Sequence, residues 1–198
     1  MADATIEDFL SRVMERLPDM SRDKFTSQSW RFEGRPTGEG LGLKPGVDVD
    51  PAAVIARIMD VADYPGNVKY VDETIVAKQT KKAVTYTQKM KLPGIGGVQV
   101  ELTMKDLGTR DGYRVVAWQQ DDAATEALDK KHGGARTEYN LGAWLVSETE
   151  VAYALSASPL KSDLGSLKYA LMTKGSDATT GTVLATNIDS MIAWSQRD

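Results

Sequence analysis

Residues 49–76 read VDPAAVIARIMDVADYPGNVKYVDETIV, and the chain changes its periodicity inside this stretch. Asp50-Pro51 is a helix start: the carboxylate can cap free amides, and proline suits the first helical position, where an N–H would have no partner anyway. Val54, Ile55, Ile58, Met59 and Ala62 recur at helical spacing and predict a buried stripe on a helix at 51–63. Tyr64-Pro65-Gly66 stops it, because the residue before a proline resists the helical region. From about residue 70 the period becomes two, and VDETIVAKQ, AVTYTQKMK, VQVELTMKDL, YRVVAWQQ, TEYNLGAWLVS and VAYALSAS read as six successive strands. Several joins are short and rich in turn residues, which predicts an antiparallel meander, since parallel neighbours need a crossover of about a dozen residues.

Working outward, Ile6, Phe9, Leu10, Val13, Met14 and Leu17 form one helical stripe, with Thr5 as cap and Pro18 at the end. This predicts an amphipathic helix packed on the main body. QSWRFEGR at 28–35 reads as a short strand, RPTGEGLGLKPG as a turn-rich passage, and Val47 and Val49 as a second short strand. The join at 121–136 has room for a short helical turn before Gly133-Gly134. After Pro159 the pattern is helical again: SLKYALMTK, an interruption at Gly175, then a long helix with Val183, Leu184, Ile188, Met191 and Ile192 on one face.

Composition narrows the function. The chain of 198 residues has a net charge of −4 and no cysteine, and its lysines and arginines are scattered. That argues against nucleic-acid binding and excludes disulfides and thiolate chemistry. The first residues lack the basic start and apolar run of a signal peptide, and no window suits a membrane span, so a cytoplasmic protein is expected. His132, the only histidine, lies in DKKHGG and reads as a solvated loop residue. The carboxylate pairs Asp121-Asp122 and Asp60/Asp63 read as turn and helix-end charges. No metal or cofactor is expected, and the oligomeric state is left open.

In the meander, Val98, Val100, Leu102 and Met104 alternate with polar residues, as do Val84, Tyr86, Gln88 and Met90. Strict alternation adds Tyr139, Leu141, Ala143 and Leu145, then Val151, Tyr153, Leu155 and Ala157, to the same apolar face, and leaves Glu101 solvated. Trp118 and Trp144 fall on the opposite phase, unless a bulge reverses it. Such a face must be covered, and the last helix is the natural cover. The residues between them either pack solidly or leave a ligand pocket.

The order of elements resembles START-type domains of the SRPBCC superfamily. Asp50-Pro51 and Asp60-Val-Ala-Asp-Tyr64-Pro65 resemble the family's helix start and stop, and GAWLVSETEVAYALSASP at 142–159 its paired strands before the last helix. The likeness covers roughly residues 28–197 and extends to bacterial START-like, coenzyme Q-binding and polyketide cyclase-like proteins. The N-terminal helix and the segment 36–46 bring the chain closer to the longer START domains. The resemblance implies an α+β helix-grip fold over 1–198, with residues 1–20 as a helical extension and 28–198 as the core. It implies a lipid or other hydrophobic small molecule bound between the sheet and the C-terminal helix, with transient membrane contact. The expected ligand-binding residues are Tyr86, Gln88, Met90, Val100, Leu102, Met104, Tyr139, Leu141, Tyr153, Leu184 and Ile188. A cyclase- or dehydratase-like enzyme in the same cavity is the alternative, since the family has no fixed catalytic signature.

The glycine-rich stretch KMKLPGIGGVQVEL at 89–102 is not a phosphate loop: it lacks Gly-Lys-Ser/Thr, and a strand rather than a helix follows it. It reads as a hairpin turn. By resemblance to the loop beside the cavity mouth of START domains, it also reads as a gate built from Leu92, Pro93 and Ile95.

Overall fold

The computed structural model describes residues 6–31, 38–92 and 94–197, the side chains of His132 and of residues 171–179 excepted. Thr5, Pro93 and the end of the first predicted strand therefore lie outside the described residues. Helices α1 (Ile6–Arg16), α2 (Pro51–Met59), α3 (Asp122–Glu126), α4 (Lys130–Gly133), α5 (Lys161–Leu164) and α6 (Ser166–Ser195) surround one sheet. Its eight strands are β1 (Thr26–Trp30), β2 (Glu39–Pro45), β3 (Val71–Gln79), β4 (Ala83–Leu92), β5 (Gly96–Arg110), β6 (Tyr113–Gln120), β7 (Ala135–Val146) and β8 (Glu150–Pro159), ordered β1-β2-β8-β7-β6-β5-β4-β3. All neighbours are antiparallel, and β5 and β7 also touch in parallel at Val98 and Ala135. The predicted meander is thus present, extended by β2 and β1 along its β8 edge.

Helix α2 starts as read, with the Asp50 carboxylate accepting from the Ala52 amide at 2.9 Å. It ends four residues earlier than predicted, at Met59, because Asp60 leaves the helical region (φ −89°, ψ 61°) and a turn of 3₁₀ helix follows at Val61–Asp63. The Tyr64 hydroxyl donates to the Ile58 carbonyl at 2.6 Å and satisfies one of the acceptors freed at the helix end.

Two readings are corrected. The passage EGLGLKP is strand β2, and Val47 and Val49 follow it rather than forming a strand. Its glycines are there for close approach: a Cβ at Gly40 would lie 2.5 Å from Thr180 Cγ2, and one at Gly42 3.0 Å from Leu184 Cβ. Helix α6 can lie almost on the backbone there. It also runs through Gly175 as one helix of 30 residues. A helical glycine costs about 1 kcal/mol relative to alanine, too little to break a helix held by the packing of its C-terminal half.

The sheet buries both faces, not one. On the concave face Leu184, Ile188, Met191 and Trp194 of α6 pack with α2, Tyr64 and inward residues such as Val84, Leu102, Val116, Val146 and Val151. On the other face Phe9, Leu10, Val13 and Leu17 pack on Leu41, Leu43, Val115, Ala117, Ala143, Ala152 and Ala154. Each large side chain so buried stabilises by about 1.5–3 kcal/mol. Small residues lie under α1, where the helix sits close. Glu101 is also buried, 9% exposed, its carboxylate accepting from Thr87 Oγ1 at 2.5 Å and its backbone amide donating to Thr125. A strand residue out of phase with the core was expected to be solvated; α3 covers this one.

The turn that enters α6 is tied down by Asp163, whose carboxylate accepts from Arg136 Nε at 2.7 Å and Nη2 at 3.1 Å. These bonds, and the backbone amide of Arg136, hold its pKa at about 2 against an ordinary 3.8. A depressed folded-state pKa gives stability that is complete above the unfolded value and lost as pH falls through the folded one. Asp163→Asn is therefore expected to lower stability at neutral pH by about 1–3 kcal/mol. The gap from wild type should close as pH drops from about 4 to 2 in parallel denaturant melts; a pH-independent gap would count against this assignment.

Candidate functional site

Between the concave face and α6 lies a cavity of about 510 Å³, inside the usual range for small-molecule sites. Strand alternation sends Tyr86, Gln88 and Met90 of β4 and Val98, Leu102 and Met104 of β5 into it, and α6 contributes Val183, Leu184, Asn187 and Met191. Trp118, Trp144 and Tyr153 form the opposite wall. The Tyr153 ring lies 5.6 Å from Trp118, stacked, and 4.3 Å from Trp144. Tyr64 meets Tyr86 and Trp194 edge-on at 6.4 and 6.0 Å, which closes the end beneath α2. Pairs of this kind are worth about 0.5–1.5 kcal/mol beyond their burial.

The polar groups of this wall divide into those already bonded and those left open. Trp118 Nε1 donates to Asn140 Oδ1 at 3.0 Å, and Asn187 Nδ2 to the Val183 carbonyl at 3.0 Å. The Tyr64 hydroxyl is held by Ile58, and Thr137 donates to Gln120. Tyr86 and Tyr153, 1% and 8% exposed, have no hydrogen-bond partner for their hydroxyls among the described residues. Burial pushes all three tyrosines up, so they keep their protons across the physiological range. The charged lining residues are Lys69 and Lys168, both exposed at the rim, and no carboxylate joins them among the described lining residues.

The predicted residues sort cleanly. Tyr86, Gln88, Met90, Leu102, Met104, Tyr153 and Leu184 line the cavity, and Leu92 and Ile95 lie beside exposed Gly94 in its lining. Val100 and Ile188 belong to the surrounding apolar cluster but sit behind the lining. Tyr139 and Leu141 do not line it: Leu141 packs on the α1 side, and Tyr139 is outside the lining. The cause is a bulge. Thr137 faces Pro159 but Tyr139 faces Ser158, so Glu138 is an extra residue in β7. Beyond it the phase reverses, and Asn140, Gly142 and Trp144 turn inward while Leu141, Ala143 and Leu145 turn to α1. Trp118 is inward as the cross-strand partner of Met104. One sequence signal could have settled the face of Trp118 and Trp144: alanines mark the face a helix presses on, so the bulky residues alternating with Ala117 and Ala143 belong to the open side.

The β4–β5 connection is a tight hairpin turn, with the Ile95 amide donating to the Leu92 carbonyl at 3.2 Å. Asp121 caps α3 through the Ala124 amide, and Asp122 accepts from Gln120. Among the described residues no group of three histidines or carboxylates is placed to hold a metal, and no helix is long and apolar enough to cross a membrane.

A curved antiparallel sheet closed by a long C-terminal helix over an internal cavity, with a helix on the sheet's back, is the helix-grip fold of START-type domains, which polyketide aromatase/cyclases share. The STAR-related lipid transfer protein from Xanthomonas axonopodis superposes with a TM-score of 0.70 at 14% identity, over 90% of this chain and 97% of that one. Human STARD10 gives 0.69 at 14% identity, over 99% and 83%. The Zhui aromatase/cyclase from Streptomyces sp. R1128 gives 0.55 at 10% identity, over 87% and 95%. No protein-family model and no curated protein sequence matches the chain.

Proposed function

We propose that this protein binds, and carries between membranes, a lipid or other hydrophobic small molecule in the cavity between the sheet and α6. The observation behind this reading is the cavity itself: about 510 Å³, walled by aromatic and aliphatic side chains, with a few neutral polar groups. Burial of apolar ligand surface supplies about 25 cal/mol per Å² before the costs of association. Leu92 and Ile95 form the apolar lip of the entrance, beside Lys69, and make transient contact with a membrane surface in the cytoplasm. The named lipid-transfer protein among the structural neighbours supports the same reading.

Catalysis of the cyclase kind would need a group that takes up or releases a proton near neutrality. The described lining offers no carboxylate, and its buried tyrosines hold their protons, so binding is the better-supported reading. Native mass spectrometry before and after incubation with a lipid extract is the test. Retained adducts of one lipid class, lost when Met104→Trp fills the cavity, are expected. A wild-type protein that takes up no lipid under these conditions overturns the proposal.

A further inference from the structure

We infer that the ligand carries an uncharged oxygen function, a carbonyl or hydroxyl, that docks on the hydroxyls of Tyr86 and Tyr153 inside the cavity; this rests on the binding reading above. A phenol that opens onto an apolar cavity with no protein partner is left to water or to a ligand for its hydrogen bond. Here two open onto one cavity. Tyr86 on β4 and Tyr153 on β8 are separated by β7, β6 and β5, and the curvature of the sheet turns both toward the same space. Tyr64 bonds Ile58, and Asn140 bonds Trp118. The two phenols, with the Gln88 amide beside Tyr86 on β4, are left to recognise whatever fills the space between them.

The docked group is uncharged because the walls around it are aromatic and aliphatic, and the charges in the lining, Lys69 and Lys168, stand at the exposed rim. An ion placed among buried rings would lose its hydration without a counter-charge. A carbonyl or hydroxyl oxygen accepts from a phenol and loses little. The cavity of about 510 Å³ lies in the range that takes one small molecule.

The test compares 2-acetylnaphthalene with 2-ethylnaphthalene, similar in shape but differing in one carbonyl, by titration calorimetry on wild type and on the Tyr86→Phe/Tyr153→Phe double variant. Wild type is expected to prefer the ketone about fivefold, the size of one neutral hydrogen bond. The double variant should lose that preference and bind the ethyl compound as wild type does. Its ligand-free melting temperature should equal or exceed the wild-type value, because the removed hydroxyls hold nothing in the fold. A ketone preference that survives in the double variant overturns the inference, as does a fall in its ligand-free melting temperature of several degrees. Binding of both compounds with equal affinity by wild type overturns this inference and leaves the cavity reading standing. Binding of neither overturns both.

Discussion

Truncating Glu39 to alanine is expected to cost about 3–5 kcal/mol of stability and to lower the melting temperature by roughly 6–20 °C. The side chain is fully buried and every lone pair that matters is engaged. Oε1 accepts from Arg12 Nη2 at 2.6 Å, while Oε2 accepts from Arg12 Nε at 2.9 Å and from Trp30 Nε1 at 2.7 Å. One carboxylate therefore joins α1, β1 and β2, and the Arg16 guanidinium lies over the Trp30 ring at 4.3 Å. Removing it takes both carboxylate bonds from a guanidinium that is only 17% exposed, and one from an indole N–H. The cost arises from breaking this pair on one side only, so the Arg12→Met/Glu39→Met double variant should lose much less than the sum of the single changes. Thermal and urea melts of wild type, Glu39→Ala, Arg12→Met, Glu39→Met and the double variant measure this. A single-variant loss under about 1 kcal/mol would show that water relieves the arginine.

The second large effect is expected at Gly142→Ala. An added Cβ would lie 2.1 Å from Trp118 Cζ2 and 2.6 Å from the Ala154 carbonyl oxygen. The carbonyl belongs to β8, paired with β7 at this point, and cannot retreat without opening the ladder. The indole can move, and the free space next to it is the cavity. Stability should fall by about 1–3 kcal/mol, the usual cost of overpacking. Uptake of any apolar ligand should fall at least roughly tenfold, which is about 1.4 kcal/mol of binding. Tryptophan fluorescence reports the ring, circular dichroism the retained fold, and native mass spectrometry the uptake. A variant that folds, keeps the wild-type emission and takes up ligand normally would refute this account of Gly142.

The helix-grip plan was legible because its signals are local. Asp50-Pro51 and Tyr64-Pro65 punctuate a helix, and strict alternation from residue 71 marks strands whose short joins leave an antiparallel meander as the arrangement. What escaped depends on contacts distant in sequence. Gly40 and Gly42 look like turn residues until α6 is seen lying on them. Glu138 looks like an ordinary strand residue, yet as a bulge it reverses the phase of everything after it in β7. Of the residues expected on β4 and β5, Tyr86, Gln88, Met90, Leu102 and Met104 line the cavity, while Val100 sits behind it. Alternation alone leaves the face of Trp118 and Trp144 open, and Tyr139 and Leu141, expected in the wall, lie outside it. Glu101 was misread for a similar reason, since alternation cannot anticipate a short helix lying on the outer face.

Helix α1 backs only part of the sheet: its apolar partners come from β2, β6, β7 and β8, whereas β3 is mostly exposed and includes Ile75 at 50%. The cavity is thus a vessel with one wall braced from behind and the other free. Tyr153, Trp144 and Trp118 stand on the braced side; Tyr86, Gln88 and Met90 stand on a strand whose outer neighbour is the free edge. Strain from an incoming guest is expected to be relieved first at β3, whose side chains are mostly exposed, while β4 is held by its buried Val84 and Tyr86. The stiff side keeps its shape as a template. A container built this way can hold a constant idea of what it recognises while tolerating differences in how large its guest is.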